Sequence, residues 1–224
     1  MGELLSILGK EDFYFAMLRT ATPVLLTTLG AMTASRAGVS NIALEGTMLF
    51  AAFFGVIVSA FSQSALLGFL AAVGIGLLIS LLLSYFIVEL HSNGILSGIA
   101  LNTLASGGTI FLLFLITGEK GASTSLHSLK LPALNIPLIE NIPFVGKILS
   151  GQHILTYLSL LLVFVIATLF KKSRLGMEII AVGENPEAAE SLGISVKRVK
   201  RTALLISGAL TGMAGAFLSM GYVG

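Results

Sequence analysis

Glu45 is the acid that lies closest to the interior of a long apolar run, with Asn41 and Gly46 beside it. An ionisable group at membrane depth is by default a candidate for a solute or ion path. If a helix starts near Ile42, Glu45 falls in its first turn, where the helix dipole and headgroup water already stabilise a carboxylate. Both readings stay open on sequence. Asn102 is the second polar group at mid-run, and a side-chain amide there needs a partner in another helix, in water or in a solute. Arg19 is expected to snorkel to the interface or to pair.

Catalytic chemistry has little to work with. His91, His127 and His153 are too scattered for metal-binding spacing, and no cysteine is present for a thiolate site or a disulfide. Gly146 and Lys147 lack both the glycine five residues upstream and the following Ser or Thr of a phosphate-binding loop. No catalytic residue, metal site or bound cofactor is therefore expected, and ATP hydrolysis by this chain alone is excluded.

The elements that position these groups follow from composition. Hydrophobic residues make up 55% of the 224, charged residues 11%, and the mean hydropathy is +0.98, which places the chain outside soluble domains and among polytopic membrane proteins. No charge occurs between Glu45 and Glu89, a stretch longer than the ~20 apolar residues that cross a bilayer. A net charge of +2 concentrated in one segment does not indicate nucleic acid. Six spans are predicted, roughly Phe13 to Ala34, Ile42 to Phe61, Ala65 to Val88, Gly94 to Thr117, His153 to Phe170 and Thr202 to Val223. Uniform apolarity without strand alternation makes them helices. The N-terminal MGELLSILGKEDFYF lacks the pattern of a cleaved leader, so the first span is expected to be retained.

Between the fifth and sixth spans lies a polar island, KKSRLGMEIIAVGENPEAAESLGISVKRVKR, residues 171 to 201. It carries seven of the thirteen Lys and Arg residues. The bias of cations toward cytoplasmic loops places it inside. Counting back puts segment 118 to 152 and the N-terminus outside, with SRAGVSNIALEG between the first two spans as the place where a break in regular helix is expected. Within 118 to 152, the prolines of LPALNIPLIENIPFVG predict an ordered flap or interfacial connector rather than a long helix. In the island, Asn185 suits an N-cap, Pro186 the first helical position, Glu187 and Glu190 the opening turns, and Gly193 the stop. Ser195 is placed to cap the following helix. The prediction is a short helix from about Pro186 to Leu192. Cations at the start of the next helix oppose its dipole, so lipid headgroups or an acidic partner surface must favour them.

Two spans carry small residues at four-residue spacing, Ser207, Thr211, Gly215 and Ser219 in the last, and Gly94, Gly98, Asn102 and Ser106 in the fourth. Such stripes predict close helix packing.

GMEIIAVGENPEAAESLGISVKR, followed by SGALTGMAGAFLS, resembles the cytoplasmic coupling region of permease subunits of bacterial ABC importers, in the branch for simple sugars and nucleosides. SRAGVSNIALEGTM resembles the same branch's signature near its second span, with Ser35 where a Glu commonly precedes the Arg. The resemblance implies an all-α, polytopic permease of the cytoplasmic membrane, with a cytoplasmic coupling helix between spans five and six. It implies that Gly183, Glu184, Asn185, Pro186, Glu187, Ala188, Ala189, Gly193 and Ile194 form the coupling element. The partners implied are a cytoplasmic ATPase that binds ATP and Mg²⁺, a second permease, an extracytoplasmic substrate-binding lipoprotein and membrane lipid. Asn41, Glu45 and Asn102 are the substrate-path candidates. Residues 1 to 224 read as one transmembrane domain. Because the branch normally continues through further spans, it is expected to be C-terminally incomplete. The competing expectation is a secondary transporter or channel driven by an ion gradient, which calls for acids or histidines inside spans; a third is a membrane scaffold without transport of its own.

Overall fold

A computed structural model describes residues 11–118, 129, 132–134 and 150–222. The fold is built from helices α1 (Glu11–Arg36), α2 (Leu44–Ser62), α3 (Ala65–Ser84), α4 (Gly94–Thr117), α5 (Ile154–Lys172), α6 (Arg174–Glu184), α7 (Pro186–Ser191) and α8 (Val196–Ala216). Two of them end in wide π turns, α3 over Tyr85–Glu89 and α8 over Phe217–Tyr222. Among the described residues, six helices are long and apolar enough to cross a membrane: α1 to α5 and α8. The expected spans thus all form. The sixth helix starts earlier than the apolar count suggests, at Val196 rather than Thr202, because the cationic turn is helical too.

Local chemistry sets the ends. Ser64 caps α3 by accepting from the Leu67 amide, and Asn93 caps α4 by accepting from the Ile95 and Leu96 amides. Gly118 closes α4 with φ +72°, a left-handed conformation that glycine adopts at no steric cost. Ser173 ends α5 and caps α6 by accepting from the Gly176 amide at 3.0 Å.

Contacts sort the helix ends into two groups. At one end, Lys197 and Arg201 of α8 reach Glu89 at the end of α3, and Gly183 of α6 lies on Arg36 at the end of α1. At the other, Arg19 of α1 donates to the Gly221 carbonyl, Gln152 donates to the Phe15 carbonyl at 3.0 Å, and the Leu129 amide donates to Ser59 at 3.2 Å. The His153 and Phe217 rings meet edge to face there, 6.0 Å apart. Successive spans therefore alternate in direction, and no re-entrant span occurs among the described residues. The expected break between the first two spans is present as the non-helical link 37–43, which is tucked between helices without reversing the order. Of the expected outer flap, Ala133–Leu134 pairs antiparallel with Gln152–His153; Pro137 and Pro143 lie outside the described residues.

The core is α8. It packs against α1, α2 and α3 through the small-residue face read from sequence, with Ser207, Thr211 and Gly215 buried and Ser219, just past its end, half-buried. A β-carbon at Gly215 would run into the Met48 carbonyl oxygen of α2. Lipid tails offer no hydrophobic drive for helix association, so close backbone approach and the dispersion it permits hold such a seam. The stripe on α4 splits instead. Gly98 packs on Ile42 and Ala43, and Ser106 remains exposed.

Candidate functional site

The polar island folds into more structure than one short helix. Its first half forms α6, an amphipathic helix whose Ile179 and Val182 are buried while Met177 stays exposed. At the turn into α7, Asn185 adopts extended backbone (φ −151°) and its Oδ1 accepts from the Ala188 amide at 3.0 Å. Pro186 occupies the first helical position, where a missing N–H costs nothing. The Gly193 amide donates to Glu190 and the Ile194 amide to Ala189, around Gly193 at φ +81°. Ser195 sits at the N-cap position of α8 without a side-chain cap bond.

α7 has two faces. Ala189 is buried at 2% exposure in a cluster with Ala37, Ile179, Val182, Val199 and Ala203, which fixes the helix to the body of the chain. Glu184, Asn185, Pro186, Glu187, Ala188, Glu190 and Gly193 face outward, Ile194 is half-buried, and Leu192 is the most exposed large apolar side chain described, at 79%. An acidic surface with an apolar tip is thereby held in one orientation.

Below it runs the link 37–43. A β-carbon on Gly183 would collide with the Arg36 carbonyl oxygen and stand 3.1 Å from the Gly38 amide nitrogen, and Gly38 itself has φ +71°. Alanine at 183 would force the two backbones apart, and alanine at 38 would be strained by its left-handed backbone. At the far end of the link, Asn41 Nδ2 donates to Ser207 Oγ at 3.0 Å, and Asn41 Oδ1 accepts from the Ala43 amide at 3.1 Å. Asn102 Nδ2 donates to the Ile42 carbonyl at 2.9 Å, and its Oδ1 accepts from the Gly46 amide at 2.8 Å. The amide of one span thus caps the start of another, satisfying a donor that the helix itself leaves open. Gly46 is needed for the approach, since a β-carbon there would stand 2.8 Å from Asn102 Oδ1.

The structure brings Asn41 and Asn102 together at the start of α2. Glu45 lies beside them in the first turn of α2, exposed and without a hydrogen bond or ion pair among the described residues. Sequence reasoning passed over Glu89. Its carboxylate accepts from Lys197 at 3.1 Å and from Arg201 at 2.7 Å, tying the end of α3 to the first turns of α8. As the acid that closes the charge-free run, it carried a readable signal. Among the described residues no group of His, Asp or Glu side chains is placed to hold a metal ion.

Residues 13–224 match the protein family described as branched-chain amino acid transport system, permease component. The chain belongs to this family. Among its relatives, the permease-family chain is 35% identical over 207 residues to the guanosine ABC transporter permease protein NupQ of Bacillus subtilis, covering 89% of this chain and 64% of that one. It is 34% identical over 218 residues to the nucleoside ABC transporter permease protein NupC of Lactococcus lactis, covering 93% and 67%. A Haloferax volcanii protein, TsgC13, provisionally named as a glucose ABC transporter permease, is 34% identical over 211 residues, covering 92% and 62%. The permease-family chain thus spans about two thirds of the length of these relatives. No solved structure matches it significantly.

Proposed function

We propose that this chain is the membrane-spanning part of a permease subunit in an ATP-driven ABC importer for a nucleoside or simple sugar. Family membership and the names of the relatives support the transport class. One observation carries the mechanism: α7 is stapled inward by Ala189, and it and its flanking residues present Glu184, Glu187, Glu190 and Leu192 outward. That is the form a docking element needs. A cytoplasmic ATPase binding ATP and Mg²⁺ receives this face, and Gly183, Asn185, Pro186, Ala188, Gly193 and Ile194 set its shape. The cation-rich end is cytoplasmic by the positive-inside bias, with lipid headgroups facing Lys171 and Lys172. A second permease and an extracytoplasmic substrate-binding lipoprotein complete the importer.

The inner part of the solute path runs past the start of α2. Glu45 is the group open to a passing polar solute, and Asn41 and Asn102, whose amides are bonded to Ser207, Ala43, Ile42 and Gly46, hold the start of α2 in place. A proton- or sodium-coupled carrier is less well supported, because Glu45 and Glu89, the acids in the long span helices α2 to α5 and α8 among the described residues, both sit at helix ends near the cation-rich side.

The deciding experiment is Ala188→Arg in the permease co-expressed with its ATPase. Ala188 is exposed, so the fold tolerates the change within about 0.5 kcal/mol. The reading expects loss of co-purification and of ATP-dependent uptake of labelled guanosine or glucose. Unchanged binding and uptake would remove α7 as the ATPase contact.

A further inference from the structure

The link 37–43 belongs to two cores at once. Ala37 lies in the cluster with Ala189, Ile179 and Val182 under α7, which also takes in Val199 and Ala203 of α8, whereas Val39 and Ala43 lie in the membrane-side cluster with Ala34, Leu83, Leu101 and Leu204. Its first half meets α6 without any intervening side chain, at Gly38 and Gly183. Its second half is bonded to α8 through Asn41 and Ser207, and to α4 through Ile42 and Asn102. The direct covalent route from α7 to α8 is a single turn. It passes through Gly193, at φ +81° with nothing within 4 Å of where a β-carbon would be.

We infer that the link 37–43 is the element that carries movement of α6 and α7 to the start of α2, and that Gly38, Gly183, Asn41 and Asn102 are its positioning residues. This rests on the coupling role proposed above for α7. A packed backbone joint cannot absorb a shift by changing rotamers, so displacement of α6 displaces Gly38. Asn41 and Asn102 then impose that displacement on α8, α4 and the first turn of α2, where Glu45 sits. α8 meets the same cluster through Val199 and Ala203, but its first turns are anchored to the end of α3 by Glu89 through Lys197 and Arg201, so the link is the route that leads on to α4 and the start of α2.

The test uses the permease co-expressed with its ATPase and binding protein in proteoliposomes, comparing Asn41→Ala, Asn102→Ala and Gly183→Ala with Gly74→Ala, whose added β-carbon meets nothing within 4 Å. The readouts are co-purification, ATP hydrolysis and solute taken up per ATP hydrolysed. General destabilisation lowers hydrolysis and uptake in parallel and leaves their ratio alone. Transmission predicts that Asn41→Ala and Asn102→Ala retain the ATPase and hydrolysis within about twofold while uptake per ATP falls about tenfold or more. Gly74→Ala behaves as wild type. A ratio unchanged in both asparagine variants, or loss of the ATPase from both, overturns the inference, whatever Gly183→Ala does. If the wild-type permease fails to retain any ATPase, the coupling role itself fails, which is a separate result.

Discussion

Gly76 of α3 and Gly208 of α8 meet backbone to backbone, and a β-carbon on either would overlap the carbonyl oxygen of the other. The crossing is therefore set by two missing side chains. Gly208→Ala and Gly76→Ala are expected to destabilise the folded permease by about 1–3 kcal/mol, the usual range for forced overpacking. Gly74→Ala, on the same helix but facing open space, stays within about 0.5 kcal/mol. Unfolding in detergent measures all three, and equal stability of Gly208→Ala and Gly74→Ala would show that the seam relaxes freely.

Alternating spans make a labelling pattern that the cysteine-free chain is suited to reveal. Ser191 and Gln63 are both exposed and sit at opposite ends of the bundle. With the cation-rich end inside, a cysteine at Gln63 reacts with an impermeant reagent added to intact cells and a cysteine at Ser191 reacts only after the membrane is opened. The reverse pattern would invert the orientation.

Loss of the cap at α7 has a local cost. Asn185→Ala removes the acceptor of the Ala188 amide and is expected to cost about 0.5–2 kcal/mol of helix stability. For a helix of six residues this is enough to melt it. Hydrogen exchange of the Ala188 and Ala189 amides should quicken, with Asn185→Asp restoring protection. Slow exchange in Asn185→Ala would show that tertiary packing alone holds the turn.

Neighbouring alanines are expected to differ in kind. Ala189→Arg pushes a long cation into the cluster of Ile179, Val182 and Ala37 and should reduce the yield of folded, detergent-extracted permease. Ala188→Arg should leave that yield intact. Size-exclusion profiles separate the two, and identical behaviour would mean that α7 is not seated as described.

Much of the fold was legible because lipid imposes a simple rule: each span must be apolar and helical along its length. The span limits from Ala65, from Gly94 and at Thr117 coincide with residues that cap or end helices, Ser64, Asn93 and Gly118. The cap at Asn185 was legible for the same local reason, since an Asn followed by Pro and Glu encodes its own geometry. What sequence could not assign was the partner of Asn102. An amide at mid-span announces a need, but Ile42 and Gly46 become its neighbours only when α2 and α4 pack. The helix α6 was missed because its apolar residues 175, 179 and 182 are interleaved with charge inside a polar segment. Ser173 and the spacing of Leu175, Ile179 and Val182 were the available signal.

The span most enclosed by protein, at 67% buried, is also the one nearest the C-terminus of the described chain, while the five before it are between 17% and 33% buried. Synthesis runs in the opposite order to this architecture. At about 5–20 residues per second, α8 leaves the ribosome on the order of ten seconds after the α3 surface it covers. During that interval Gly30, Gly76 and Ala51 have no α8 to pack on, and the early spans are threaded but not yet assembled. Assembly of the described spans therefore waits for α8, because the seam with α1, α2 and α3 closes only once Val196–Ala216 is in the membrane.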